Sequence, residues 1–102
     1  MPQALQLKSL ITDAGQLELA LHEVDVRDPG PDEVLIKVLG TPINPSDLGG
    51  LIGMADISTA RASGTAERPV ITADVPDKFM PAMAPRVGKA LQVGNEGAGE
   101  VV

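Results

Sequence analysis

Two stretches near the N-terminus, QALQLKSLI (3–11) and QLELALHEVDV (16–26), alternate apolar and polar residues with a period of two. That period puts successive side chains on opposite faces of an extended chain, and it predicts two strands. TDAG (12–15) lies between them and reads as a turn. Leu17, Leu19 and Leu21 share one face; the phase slips at His22-Glu23 and resumes at Val24 and Val26, which predicts a bulge. Pro29-Gly30-Pro31 then forces a rigid loop. Beyond it, EVLIKVLGTPI (33–43) is nearly all apolar, interrupted at Lys37, as expected of a strand buried along most of its length. Three strands joined by turns in about forty residues favour an antiparallel barrel or sandwich. Eleven glycines and nine prolines argue against a helical bundle. The expected fold is mainly β: a partly open barrel with one or two short helices.

The character of the chain changes at INPSDLGGLIG (43–53). Pro45 keeps Asn44 out of the helical region, and Ser46 or Asp47 is placed to cap a short helix over Ser46–Ile52. From Met54 to Pro69 the residues are small and polar and predict an exposed, mobile loop. Phe79, Met80, Met83 and Val87 recur at helical spacing, which predicts an amphipathic helix near Asp77–Ala84 whose length Pro81 and Pro85 limit. Its methionines read as core filler. ALQV and GAGEVV then read as strand, turn and strand.

Composition removes whole classes of function. Net charge is −6, the basic residues form no cluster, and Phe79 is the only aromatic residue, so nucleic-acid binding lacks both its charge and its stacking surface. Without cysteine, and with His22 as the single histidine, the chain cannot build a disulfide framework, a catalytic triad or an ordinary zinc site. It has no apolar run long enough to span a bilayer and no secretory leader, so no membrane role is expected and the default compartment is the cytoplasm.

Three motifs can carry chemistry. VGNEGAGEVV (93–102) has the wrong glycine spacing for a dinucleotide fingerprint, and a β-branched run follows it; Gly97 and Gly99 read as a structural turn or a close backbone approach. Asn44 and Asp47 stand at a strand-to-helix junction, where an amide and a carboxylate can hold a ligand carbonyl or hydroxyl. The structural alternative is that Asn44 satisfies turn backbone and Asp47 caps the helix. Glu96 is either a partly buried site carboxylate or a solvated turn residue, and His22 reads as a surface residue.

VDVRDPGPDEVLIKVLG (24–40), TPINPSDLGGLIG (41–53) and VGNEGAGEVV together resemble the start of the medium-chain dehydrogenase/reductase superfamily, the alcohol dehydrogenase and quinone reductase group. INPSD followed by GNEGAG is similar to its zinc-free branch, which includes quinone reductases and 2-enoyl thioester reductases. The resemblance implies a GroES-like substrate-side domain, here an N-terminal fragment cut inside a strand, with the Rossmann domain that binds NADP or NAD lying downstream. It places Asn44 and Asp47 beside a small-molecule acceptor, Asn44 and Pro45 against the nicotinamide, and Asn95, Glu96, Gly97 and Gly99 in a structural turn near the site. Zinc alcohol dehydrogenases have cysteine in place of Asn44 and histidine in place of Asn95, so no zinc is expected. A homodimer is implied for the full-length protein. The tyrosine that donates a proton in the enoyl reductases falls on Ala55, so either another donor acts, such as water or the cofactor's ribose, or the implied reaction is quinone or other carbonyl reduction. With the cofactor half of the cleft missing, Asn44 and Asp47 are expected to face solvent. The competing reading is a GroES-like co-chaperonin or another non-catalytic binding module.

Overall fold

In the computed structural model, which describes residues 3–102, the two alternating stretches form one hairpin. Strand β1 (Gln3–Ile11) pairs antiparallel with β2 (Gln16–Asp25) in unbroken register, from Gln3 opposite Asp25 to Ile11 opposite Leu17. The Thr12 amide donates to the Gln16 carbonyl at 2.8 Å to close the turn, and Gly15 takes a φ of +82° that favours glycine. The bulge expected at His22-Glu23 is absent: His22 stands opposite Gln6, and Glu23 opposite Leu5. The phase break instead marks where the sheet face leaves the core. Leu5 is 48% exposed there, so a glutamate beside it is solvated without any change of register. His22 is half-buried rather than a fully exposed surface residue.

Two more strands extend the sheet beyond β2. The segment expected to be a mobile loop contains β4 (Asp56–Gly64), which pairs with β5 (Pro69–Asp74). Its small polar residues suit an edge strand, where neither face needs to be apolar. They also hold it in place: the Thr59 hydroxyl donates to the Asp56 carbonyl at 2.6 Å and accepts from the Asp74 amide at 2.7 Å. With the two-residue β6 (Leu91–Gln92) on the far side, the strand order is β4-β5-β2-β1-β6, antiparallel throughout.

The core is small and lies at the turn end of the hairpin. Ile11, Leu17, Ala73 and Val75 are buried, and Leu19, Ile52, Ala55, Phe79, Met80, Met83 and Val87 pack against them. Their cover is the predicted amphipathic segment, a continuous run of a 3-10 turn (Asp77–Phe79), helix α2 (Met80–Met83) and a second 3-10 turn (Ala84–Arg86). Prolines at 81 and 85 break it into single turns, as expected, because each lacks an amide proton for the ladder. The Gly88 amide donates to the Ile11 carbonyl at 2.9 Å and pins the end of this cover to β1. A single-turn helix, α1 (Asp47–Leu51), covers the neighbouring part of the face.

The third apolar stretch departs most from expectation. It does not continue the antiparallel sheet and is not buried. Strand β3 (Ile36–Gly40) pairs only with β7 (Ala98–Val101), forming a separate two-stranded ribbon exposed along its length. Val38 is 59% exposed and Val101 67%. Gly99 lies within β7 rather than in a turn, opposite Val38. A Cβ there would collide with the carbonyl of Lys37 and lie 2.9 Å from Cγ2 of Ile36, so this glycine serves a close backbone approach. The fold is mainly β, but the sheets stay open and do not close into a barrel. The molecule measures 48 × 28 × 25 Å with a radius of gyration of 15.5 Å. A compact domain of this length has a radius near 13 Å, so the ribbon extends beyond the packed core.

Candidate functional site

The loop before α1 and the loop before β7 meet, and four of the candidate residues meet with them. Asn44 Nδ2 donates to Glu96 Oε1 at 3.1 Å across 52 residues of sequence. Asp47 accepts at both oxygens: from the Asn44 amide at 2.9 Å onto Oδ2, and from Asn95 Nδ2 at 3.3 Å onto Oδ1. One carboxylate therefore ties both loops together. Asp47 is only 8% exposed and Asn44 is half-buried, so the expectation that both face solvent does not hold. The two loops bury Asp47 between them without a cofactor domain. Glu96 and Asn95 are exposed, and Pro45 is exposed in the turn between Asn44 and α1.

Neither Ser46 nor Asp47 caps α1 by side-chain hydrogen bonding. The Asp47 carboxylate reaches back three residues to the Asn44 amide, an arrangement that shapes the loop rather than the helix. Backbone bonds from the Asp47 amide to the Asn44 carbonyl (2.9 Å) and from the Leu48 amide to the Pro45 carbonyl (3.2 Å) complete the turn.

Beside this cluster is an apolar hollow of about 90 Å³. Leu7, Pro42, Ile43, Leu51 and Val93 supply most of its wall, and Asp47 supplies its one charged group. Ile43 and Gly94, which line it, directly precede Asn44 and Asn95 in the chain. Ala55, the position expected to carry a proton donor in a relative, packs on the core instead. Among the described residues no group of three or more histidine, cysteine, aspartate or glutamate side chains is placed to hold a metal.

Sequence reasoning missed a second polar network that anchors the site from behind. Ser9 is fully buried; its Oγ donates to the Leu51 carbonyl at 2.8 Å and accepts from Arg86 Nη2 at 2.8 Å. The same nitrogen donates to the Gly50 carbonyl at 3.1 Å. The last carbonyls of a one-turn helix have no partners within it, and here a hydroxyl and a cation satisfy them. Burial pulls the Arg86 guanidinium below the ordinary arginine pKa, and its Nε is enclosed without a partner. The sequence did carry one signal: Ser9 is a polar residue on the face of β1 shared by Leu7 and Ile11.

A larger hollow, about 300 Å³, lies elsewhere, on the open loop lined by Asp25, Arg27, Pro29 and Glu33. Arg27 grips both Glu33 oxygens, and the Gly30 amide donates to Glu33 Oε1 at 2.9 Å. Together they tie the two sides of the Pro29-Gly30-Pro31 loop to each other. The Arg27 guanidinium, and after it the Gly30 amide, hold the Glu33 carboxyl below the usual carboxylate range. A lowered folded-state pKa gives a contribution that is present above the unfolded value, about 4.3, and is lost as pH falls through the folded one. Followed by NMR in low salt, Glu33 should titrate below that value, and Arg27→Met should move its midpoint upward. An unmoved midpoint would show that the pair is not populated in solution.

No helix of the described residues is long and apolar enough to cross a membrane. No family model and no curated protein matches this chain.

Proposed function

We propose that these residues form the substrate-side part of a zinc-independent, NAD(P)H-dependent oxidoreductase that reduces a quinone, enone or other carbonyl-type acceptor in the cytoplasm. The observation that carries this reading is the meeting of Asn44, Asp47, Asn95 and Glu96 from two distant segments beside an apolar hollow. Those are the segments, INPSD and GNEGAG, on which the family resemblance rests. The side-chain amides of Asn44 and Asn95 stand where the resemblance would need the thiolate and imidazole of a catalytic zinc. When bound, the nicotinamide would supply the hydride. This chain's residues would orient the acceptor beside the two amides, receive its apolar part in the hollow and keep water from it.

The test is kinetic. NAD(P)H oxidation with a quinone acceptor should appear in a polypeptide that also carries a cofactor-binding domain and should be absent from residues 1–102 alone. In the active protein, Asn44→Ala should lower kcat/KM by roughly ten- to a hundredfold, as for an orienting hydrogen bond of about 1.4 to 2.7 kcal/mol. Unchanged kinetics would assign Asn44 a purely structural role, and turnover by the 102 residues alone would overturn the division of labour.

A further inference from the structure

Asp47, the one charged group on the wall of the hollow, already accepts at both carboxylate oxygens, and its backbone amide is used on the Asn44 carbonyl. The Leu51 carbonyl is likewise taken, by the Ser9 hydroxyl. Two donors on the same wall are not used. The Thr41 hydroxyl and the Gly94 amide have no hydrogen-bond partner among the described residues. The Thr41 methyl lies 3.4 Å from the point that a Gly97 Cβ would occupy, so that branch packs on the loop before β7 and the hydroxyl takes another direction. Gly94 has a φ of +91°, where glycine is favoured, and the space that a Cβ would fill is open, so no side chain screens its amide from that side. A threonine hydroxyl rotates to suit its partner, and a backbone amide only donates. Both residues line one hollow of about 90 Å³, so a single small molecule seated in it touches both.

From this we infer that the hollow is the subsite for the carbonyl end of the acceptor, and that Thr41 and Gly94 are its specificity-determining residues. It takes a small neutral ketone or aldehyde. The carbonyl oxygen accepts from the Thr41 hydroxyl and the Gly94 amide, and a short alkyl group lies against the apolar wall. The volume is roughly three waters' share of the liquid, which limits what enters to a short chain. A carboxylate of the same size meets Asp47 as a like charge. Asp47 is more than nine-tenths buried, and no lysine or arginine forms an ion pair with it among the described residues. The inference rests on the reading of this cluster as an acceptor site and names the groups that hold the carbonyl. It concerns binding and does not require hydride transfer.

The experiment titrates the 102-residue chain, labelled with ¹⁵N, with butanone and separately with propionate, in which an anionic oxygen replaces the ketone's methyl group. Butanone should move the Gly94 backbone amide proton downfield and saturably, and propionate should leave it in place. Thr41→Val, which exchanges the hydroxyl for a methyl group, should weaken butanone binding about fivefold, the worth of one hydrogen bond. Thr41→Ser keeps a hydroxyl and should bind butanone as the native chain does. Thr41 is exposed, so the other amide signals should stay in place in both variants and report an intact fold. No saturable shift at Gly94, equal binding of propionate, or an affinity indifferent to Thr41→Val overturns the inference. Butanone binding that meets these expectations, in a protein with a cofactor-binding domain but no reductase activity, would instead reject the proposed reaction and leave the subsite standing. Ketone reduction that ignores Thr41→Val would do the reverse.

Discussion

Ile11→Ala should destabilise the protein by about 2–5 kcal/mol, the range for removing a large aliphatic side chain from a core that cannot collapse around the gap. Ile11 is fully buried opposite Leu17 and under the Val87 end of the cover. Among the described residues only four apolar ones are buried, so few neighbours can move in to fill the space. Small domains hold about 5–15 kcal/mol in total, so this one substitution removes a large share. Urea unfolding should show a lower midpoint with an unchanged slope. Ile43→Ala is the control: that side chain is 76% exposed, and its loss should change stability by no more than about 0.5 kcal/mol. Equal effects at the two positions would mean that the core lies somewhere other than the turn end of the hairpin.

Gly99→Ala should break the ribbon while leaving the five-stranded sheet intact. The added methyl group would have to occupy the space of the Lys37 carbonyl, which is backbone and cannot swing aside. A two-stranded ribbon is marginally stable by itself and has no reserve to absorb such a clash. Hydrogen exchange should therefore become fast at the ribbon amides, including Val102, which donates to the Leu35 carbonyl at 2.9 Å. Amides of β1 and β2 should keep their protection. Because only Gly97 separates Glu96 from β7, the bond between Asn44 and Glu96 should loosen as well. Gly97→Ala provides the contrast: the nearest atom to its Cβ is a Thr41 methyl at 3.4 Å, an ordinary contact. Ribbon protection that survives Gly99→Ala would show that the two strands are not as closely apposed as the structure has them.

These two glycines also show how far residue type alone can be read. Both are compatible with a turn, and only the partner strand distinguishes Gly99, which must be glycine, from Gly97, which need not be. The polar segment 56–64 presents the same difficulty. Nothing in the composition of DISTARASG announces a strand, because an edge strand need bury neither face, and its partner β5 supplies the reason for it to be extended. Strand β3 shows the reverse case. Its run of valine, leucine and isoleucine predicts burial, yet composition states only that burial would be favourable and not that a covering surface is present.

By itself the sequence determined what depends on near neighbours. The period of two in residues 3–11 and 16–25, with the turn between them, defines the hairpin. The spacing of Phe79, Met80, Met83 and Val87, cut by two prolines, defines the cover over the core. It also marked Asn44, Asp47 and Glu96 as candidate site residues, and the family resemblance placed Asn95 in a turn near them. Only the tertiary structure decided that a buried Asp47 clasps two loops, that Ser9 and Arg86 hold the end of α1, and that β3 leaves the sheet to pair with β7. The reason is range. Alternation and turn chemistry act between residues a few positions apart, whereas the Ser9–Leu51, Asp47–Asn95 and Ser9–Arg86 contacts join residues 42 to 77 positions apart, and pairing at that distance is set by the shape of the whole fold.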